Sequence, residues 1–439
     1  MSLQKRLQSV QTDDASDTAT RYQEIKTNAK QGILERVGFA EVAHIATHND
    51  PLAARQELYP AVEAVLNADI HQSLSQEERE QIVQEILDDI VGLGPLQPLL
   101  EDDSVTEIMV NGDNQAFFER AGKLYPFESS FESEEQIRII IDRIISPLGR
   151  RIDERSPLVH ARLACGYRVN AVIPPIALDG PLITIRKFSD RIGSLGELVE
   201  LGALPQWYAQ LLSFAVRVRM DIAVAGGTGS GKTTLLNALS CEIPEGERII
   251  TIEDSAELKF ERHPHVVRLE AREASIEGEG AVSIRDLVAN ALRMRPDRIV
   301  VGEVRGSECI DMLQAMNTGH DGSLTTLHAG SADEAIVRLT LLARYGIDLP
   351  GSLIEEQIAM ALDGIVMSER TAQGKRYVSA FVGVSRAASG GVELHTFVSF
   401  DAVGPTWELI GEPPFIERAL RAGTLSEEEV CAWRASCPS

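Results

Sequence analysis

Nowhere in the 439 residues do about 18 apolar residues run together, so no membrane-spanning helix is expected. The opening stretch, Met1 to Arg6, has no apolar segment behind its basic pair, and no secretory signal is read there. The five cysteines (Cys165, Cys241, Cys309, Cys431 and Cys437) are scattered and form no CxxC pair. That excludes a zinc knuckle and a thioredoxin motif, and it suits a reducing compartment, the cytoplasm. Positive charge is scarce: 42 basic residues stand against 66 acidic ones, for a net charge of −24. Such a balance works against sheathing nucleic acid, and no stretch interleaves aromatic with basic residues, so no direct nucleic-acid partner is expected. A local basic groove is not excluded. There is no internal repeat and no low-complexity tract. What is present is ordinary for a globular chain, 44% apolar and 25% charged, and long enough for two to four domains.

The texture changes several times along the chain. Residues 1–29 are polar, with an acidic cluster at Asp13, Asp14 and Asp17, and read as a flexible tail. Residues 30–92 read as a small helical bundle. In its clearest helix Ile82, Val83, Ile86, Leu87, Ile90 and Val91 recur at helical spacing behind Ser75, a candidate N-cap. Residues 93–188 alternate like short strands around one amphipathic helix (Ile137 to Leu148), which predicts a mixed α+β domain. Residues 189–198 are the linker candidate. From 199 to 370, strands and helices alternate as in an α/β domain with a mainly parallel sheet. Residues 371–439 read as a C-terminal extension without a recognisable catalytic constellation.

The strongest local signal is Gly226-Gly227-Thr228-Gly229-Ser230-Gly231-Lys232-Thr233-Thr234, a full GxxxxGK[ST] between an apolar strand and a helical run. Glycines let backbone amides converge on phosphate oxygens, and the following helix N-terminus adds a favourable dipole. Lys232 is expected to reach the β- and γ-phosphates and Thr233 to give a hydroxyl to Mg²⁺. A Rossmann site is disfavoured, because Lys232 takes the place of the third glycine.

Two apolar strands end in acids. Ile299 to Val301 leads to Glu303, a candidate metal-side carboxylate, while Asp297 at the other end of that strand reads as structural. Arg248 to Thr251 leads to Glu253 and Asp254. One of this pair is expected to act on the attacking water as general base and the other to hold the metal's water shell, and spacing leaves the assignment open. The polar segment Thr318 to Gly330 carries His320 and His328, candidates for sensing the γ-phosphate or coupling subunits. Arg150, Arg151, Arg155, Arg162, Arg168 and Arg186 crowd the end of the α+β domain, a local cationic surplus that suggests an anion site.

Together these motifs resemble the secretion ATPase superfamily, the motors of type II and type IV secretion and of type IV pili. That family carries a P-loop, an Asp box, a glutamate-type Walker B and a His box. The similar segments here are Gly226–Thr234, Thr251–Glu257, Asp297–Arg305 and Gly319–His328, in that order. A closer resemblance, to the Tad/Flp pilus branch (CpaF-like), rests on Gly92–Leu100, Val105–Gly112, Ser156–Arg162, Arg168–Pro175, Leu292–Asp297 and Met316–Gly319. The resemblance implies a RecA-like P-loop NTPase domain preceded by the α+β domain and the helical bundle. It implies a homohexamer on the cytoplasmic side of the inner membrane that hydrolyses ATP with Mg²⁺. That motor would drive membrane platform proteins to assemble, and in some systems retract, a pilus. It implies that arginines of the N-terminal domain approach the γ-phosphate, and Arg162 and Arg168 match that stretch best. One departure, Ala164-Cys165-Gly166-Tyr167 in place of an Asp-Gly turn, leaves the local hairpin register open. The rival readings are a motor of conjugative type IV secretion, a non-catalytic nucleotide-dependent scaffold and a nucleic-acid motor.

Overall fold

The computed structural model describes residues 22, 24–46, 51–68, 74–113, 115–120, 122–127, 131, 133–163, 165–187, 193–260, 263–272 and 279–438. The chain divides into two compact units, Met1–Lys187 and Phe188–Ser439.

The first unit opens on helices over 24–37, Phe39–Ala46, Pro51–Ala68 and Gln76–Ile90. Ser75 caps the last of these reciprocally with Glu78, an arrangement worth about 1 kcal/mol. Its Ile82, Val83, Ile86 and Leu87 are buried with Leu58, Val62 and Ile33. The bundle begins earlier than the sequence suggests. Ile25, Ala29 and Ile33 form a buried i, i+4, i+8 stripe, so 24–29 is helix and not tail. Polarity concealed this, because the buried Lys26 is matched by Asp89 at 2.8 Å and Glu85 at 3.3 Å. Residues 1–21 lie outside the described set.

A six-stranded antiparallel sheet follows: β1 (Val105–Asn111), β2 (Ala116–Arg120), β3 (Lys123–Phe127), β4 (Leu158–Arg162), β5 (Arg168–Val172) and β6 (Leu182–Arg186). The order is β3-β2-β1-β6-β5-β4. Helix Glu134–Ile145 lays Ile137, Ile140, Ile141, Ile144 and Ile145 into one core with Ile108, Val169 and Ile183. The β4–β5 turn closes in register without an Asp-Gly pair. Gly166 takes φ +97°, the Leu163 amide donates to the Tyr167 carbonyl at 2.9 Å, and Arg162 stands opposite Arg168.

The second unit is built on β7 (Ile222–Gly226), β8 (Ile249–Glu253), β9 (Val266–Glu270), β10 (Arg298–Val301), β11 (Leu324–His328), β12 (Gly364–Arg370), β13 (Arg376–Arg386), β14 (Val392–Asp401) and β15 (Thr406–Leu409). Their order is β15-β14-β13-β12-β7-β11-β10-β8-β9. From β12 to β9 every pairing is parallel, and beyond β12 the sheet continues antiparallel. Strands β7, β8 and β10 are buried throughout, as continuous apolar runs covered on both faces should be. This is the RecA-like arrangement, with the loop-bearing strand central.

Two boundaries differ from expectation. The linker candidate gives way at Ser194, which caps helix Leu195–Glu200, and Leu195 and Leu198 belong to the core of the second unit. Residues 188–192 lie outside the described set. The C-terminal stretch is no appendage: Phe381, Val398, Phe415 and Trp433 share one core with Phe214 and Val224. Trp433 is fully buried and its indole N–H donates to the Trp207 carbonyl at 2.9 Å. Burying one such side chain contributes on the order of 3 kcal/mol. These aromatics come from separate elements, so no local period announces them.

Candidate functional site

In a parallel sheet with helices on both faces, ligands bind at the carboxyl ends of the strands. Here β7, β8, β10 and β11 all end at one edge, and each delivers a singled-out residue there. Strand β7 runs into the glycine loop, and helix Lys232–Ser240 begins directly after it. Gly229 (φ +69°) and Gly231 (φ +97°) occupy the left-handed region, which the turn requires and which other residues adopt only with strain. Gly231 is the N-cap residue and, having no side chain, makes no side-chain cap bond to the helix start. Gly227 and Thr228 are exposed, Thr233 and Thr234 half-buried, and Ser230 buried. Lys232 is only 7% exposed; its Nζ donates to the Gly227 carbonyl at 2.8 Å and stands 3.4 Å from His328 Nδ1.

Around that lysine the acids take distinct states. Glu253, 2% exposed at the end of β8, accepts the amides of Glu257 (2.8 Å) and Leu258 (3.0 Å) on Oε1. Its Oε2 is buried and has no hydrogen-bond partner among the described residues. Burial holds this carboxyl above the usual carboxylate range. Gly302 makes the close packing possible, because a Cβ there would stand 2.9 Å from Glu253 Cγ. Glu303 contacts Arg305 Nη2 through Oε2 at 2.5 Å, so Arg305 serves its near neighbour in sequence and not a distant element. Its Oε1 lies 3.1 Å from His328 Nε2, a charge-pair distance without hydrogen-bond alignment. His328, at the end of β11, thus stands between Lys232 and Glu303. Burial and then the Lys232 charge hold its imidazole below the ordinary value, which leaves it neutral at pH 7. Asp254 is exposed one residue beyond β8.

The residues present fit a magnesium–nucleoside triphosphate. A loop with left-handed glycines and an uncapped helix start supplies amides for phosphate. Three buried oxygens (Ser230 Oγ, Glu253 Oε2 and Glu303 Oε1) lack hydrogen-bond partners among the described residues, the condition of groups kept for a ligand. Thr233, Glu303 and Asp254 are oxygen donors of the kind a small divalent cation takes.

Residues 89–374 match the sequence profile of the type II/IV secretion system proteins. The chain belongs to that family. A protein of Mycobacterium tuberculosis named for conjugal transfer is 38% identical over 70% of this chain and 88% of its own length. The type IV secretion system protein PtlH of Bordetella pertussis is 37% identical over 65% of this chain and 91% of its own. Among solved structures, the VirB11 ATPase of the Brucella suis type IV secretion system, crystallised with sulphate, is 31% identical. It covers 65% of this chain and 94% of its own, with a TM-score of 0.36, too low to add to the assignment.

Of the other singled-out residues in this secretion-family chain, the clustered arginines belong to the first unit. The register sets Arg162, Arg168 and Arg186 side by side in one row across β4, β5 and β6. Like charges placed directly opposite each other destabilise a sheet by a fraction of a kcal/mol, roughly, so the row is a cost that a bound anion would offset. Arg162 Nε donates to the Gly166 carbonyl at 3.0 Å. Arg150 donates to the His160 carbonyl, and Arg151 pairs with Asp153 at 2.8 Å. His320 precedes β11 and therefore lies at the edge of the sheet away from the glycine loop, which removes it as a γ-phosphate sensor. Asp297 accepts the Arg248 amide at 2.8 Å, the structural role expected of it.

Three residues against the loop were missed, Ser368, Arg370 and Arg376, as was Gly302 against Glu253. Ser368 donates to the Ser230 carbonyl at 2.7 Å and Arg376 Nε to the Gly229 carbonyl at 2.9 Å. They sit some 140 residues beyond the loop, and no spacing rule links them to it.

Proposed function

We propose that this protein hydrolyses ATP with Mg²⁺ and uses the energy to drive a secretion or pilus machine. The observation that carries the reading is the buried Lys232 at the helix start after the glycine loop, with His328 between it and Glu303, together with a Glu253 oxygen that is buried with no hydrogen-bond partner among the described residues. The loop amides and Lys232 hold the β- and γ-phosphates. Thr233, Glu303 and Asp254 would hold the metal, which would supply charge neutralisation on the phosphoryl oxygens. Glu253 positions the attacking water through Oε2 and takes its proton; its burial at the strand end favours it over the exposed Asp254. His328 links the lysine to Glu303 and reports whether that pair is engaged. Arg162 and Arg168 are carried as charge-stabilising residues on the strength of the family resemblance.

Phosphate release from the purified chain tests this. Lys232→Ala is expected to lower the rate at least a hundredfold, roughly, with an unchanged unfolding midpoint. Retention of full activity in that variant would remove the assignment. Removal of both Arg162 and Arg168 with no change in rate would remove the arginines from it.

For the machine itself, the segments from Gly92 to Pro175 favour assembly of a Tad/Flp pilus by a homohexamer at the inner-membrane platform. Relatives named for conjugal transfer and type IV secretion favour the conjugative reading instead. Deletion of the gene separates them. Loss of surface pili with DNA transfer intact supports the first reading, and the reverse supports the second.

A further inference from the structure

A loop that turns its amides toward an anion must turn its carbonyls the other way. Those outward carbonyls need donors of their own, or the peptide planes are free to rotate and the cradle is lost. In this protein the donors come from the hairpin of β12 and β13. Ser368 Oγ, buried, donates to the Ser230 carbonyl at 2.7 Å, and Arg376 Nε donates to the Gly229 carbonyl at 2.9 Å.

The fit on either side of these bonds is close. Ser368 stands in register with Gly226, where a Cβ would lie 2.2 Å from the Ser368 carbonyl oxygen. A Cβ on Gly229 would lie 3.1 Å from Arg370 Nη1, and one on Gly231 3.3 Å from Arg376 Cδ. Arg370 and Arg376 are direct partners across the hairpin, so its tip sets two guanidinium groups against Gly229 and the Arg376 stem beside Gly231. The bond from Arg376 is charge-assisted, and such bonds are roughly twice as strong as neutral ones.

We propose that the β12–β13 hairpin is a clasp on the phosphate loop, in which Ser368 and Arg376 are positioning residues that hold the Ser230 and Gly229 peptides with their amides turned to the nucleotide. This rests on the reading that the loop binds a triphosphate. The clasp acts before chemistry, on the ground state and the transition state alike. It therefore governs nucleotide affinity and KM while kcat is preserved.

The test uses the full chain and a fluorescent ATP analogue, with phosphate release measured alongside. Ser368→Ala and Arg376→Gln are each expected to raise Kd and KM about tenfold, the effect of losing one strong hydrogen bond, with kcat within about twofold of the unaltered chain. Arg376→Lys, which keeps a cationic donor, is expected to recover part of the loss. Unchanged Kd and KM in both variants, with the unaltered chain binding normally, overturns the clasp alone. Loss of kcat at constant KM overturns it too, because Arg376 would then act on the reacting phosphate. A fall in unfolding midpoint that accounts for the lost binding in both variants makes the contacts merely structural and also overturns it. Failure of the unaltered chain to bind the analogue overturns the reading of the loop itself, and the clasp with it.

Discussion

The two edges of the central parallel sheet carry the same residue types in opposite states. At the edge where the strands begin, the carboxylates are occupied. Asp297 accepts the Arg248 amide, Asp221 accepts the Ser323 amide at 2.7 Å, and Asp363 accepts the Asp221 amide at 2.9 Å. Arg298, with no exposed surface, donates to the Gly322 and Val216 carbonyls and to Glu247. These groups tie adjacent strand starts together. At the edge where the strands end, Glu253 keeps a buried oxygen with no hydrogen-bond partner among the described residues, Glu303 turns one toward His328 without hydrogen-bond alignment, and Lys232 meets the Gly227 carbonyl and the His328 imidazole. Burial alone does not distinguish a functional acid from a structural one. The two ends differ in how much of the carboxylates' hydrogen-bonding capacity is spent within the fold.

The contrast can be broken by substitutions at each edge. Arg298→Leu is expected to cost about 3 kcal/mol in stability, since it strands two buried carbonyls and leaves Glu247 with Arg219 alone. Denaturant unfolding reads that cost, and a loss of activity at full stability would contradict the division. Glu253→Gln should do the reverse. Hydrolysis falls by about a hundredfold or more while the unfolding midpoint holds within about 1 kcal/mol. A variant that unfolds would place Glu253 with the structural acids.

His328→Gln is expected to lower the rate about tenfold, because an amide can span Lys232 and Glu303 only imperfectly. An unchanged rate would remove the link from the site. The smallest effects are in pH dependence. Since Glu253 is held above the usual carboxylate range, the acid limb of kcat/KM should lie above about 4.3, the ordinary glutamate value. A limb at the ordinary value would make another group the base.

Asp221 sharpens the other edge. Burial, with Asp363 and Asp321 adding repulsion, pushes it up to about 8. The folded state then binds more protons than the unfolded state between about pH 4 and that value. Its contribution to stability is therefore full below the unfolded pKa and is lost as pH rises through the folded one. Asp221→Asn should flatten the fall in thermal midpoint across this window, and an undiminished slope would assign the dependence to other groups.

Legibility in the sequence followed chain distance. The glycine loop, Lys232 and the strand-end acids could be read because each motif is a few consecutive residues whose geometry is local. The capped helix behind Ser75 could be read for the same reason. The buried start of the bundle could not, because Lys26 is neutralised by Asp89 from a helix some sixty residues away, and its polarity reads as exposure. The C-terminal stretch reads as an extension and not as part of the core, since its buried residues find their partners in other elements. His320 and His328 looked equivalent in one polar segment. The direction of β11 alone sends one to each edge.

The sequence by itself determined that a glycine-rich turn stands here between a strand and a helix, and that acidic strand ends follow in order. Such turns and strand ends are dictated by φ/ψ preferences and apolar patterning within a dozen residues. Only the tertiary structure decided which acid keeps a spare oxygen, which histidine meets the lysine, and that Ser368 and Arg376 grip the loop from behind. Those outcomes depend on which strands lie side by side in a parallel sheet, and parallel neighbours are necessarily distant in the chain.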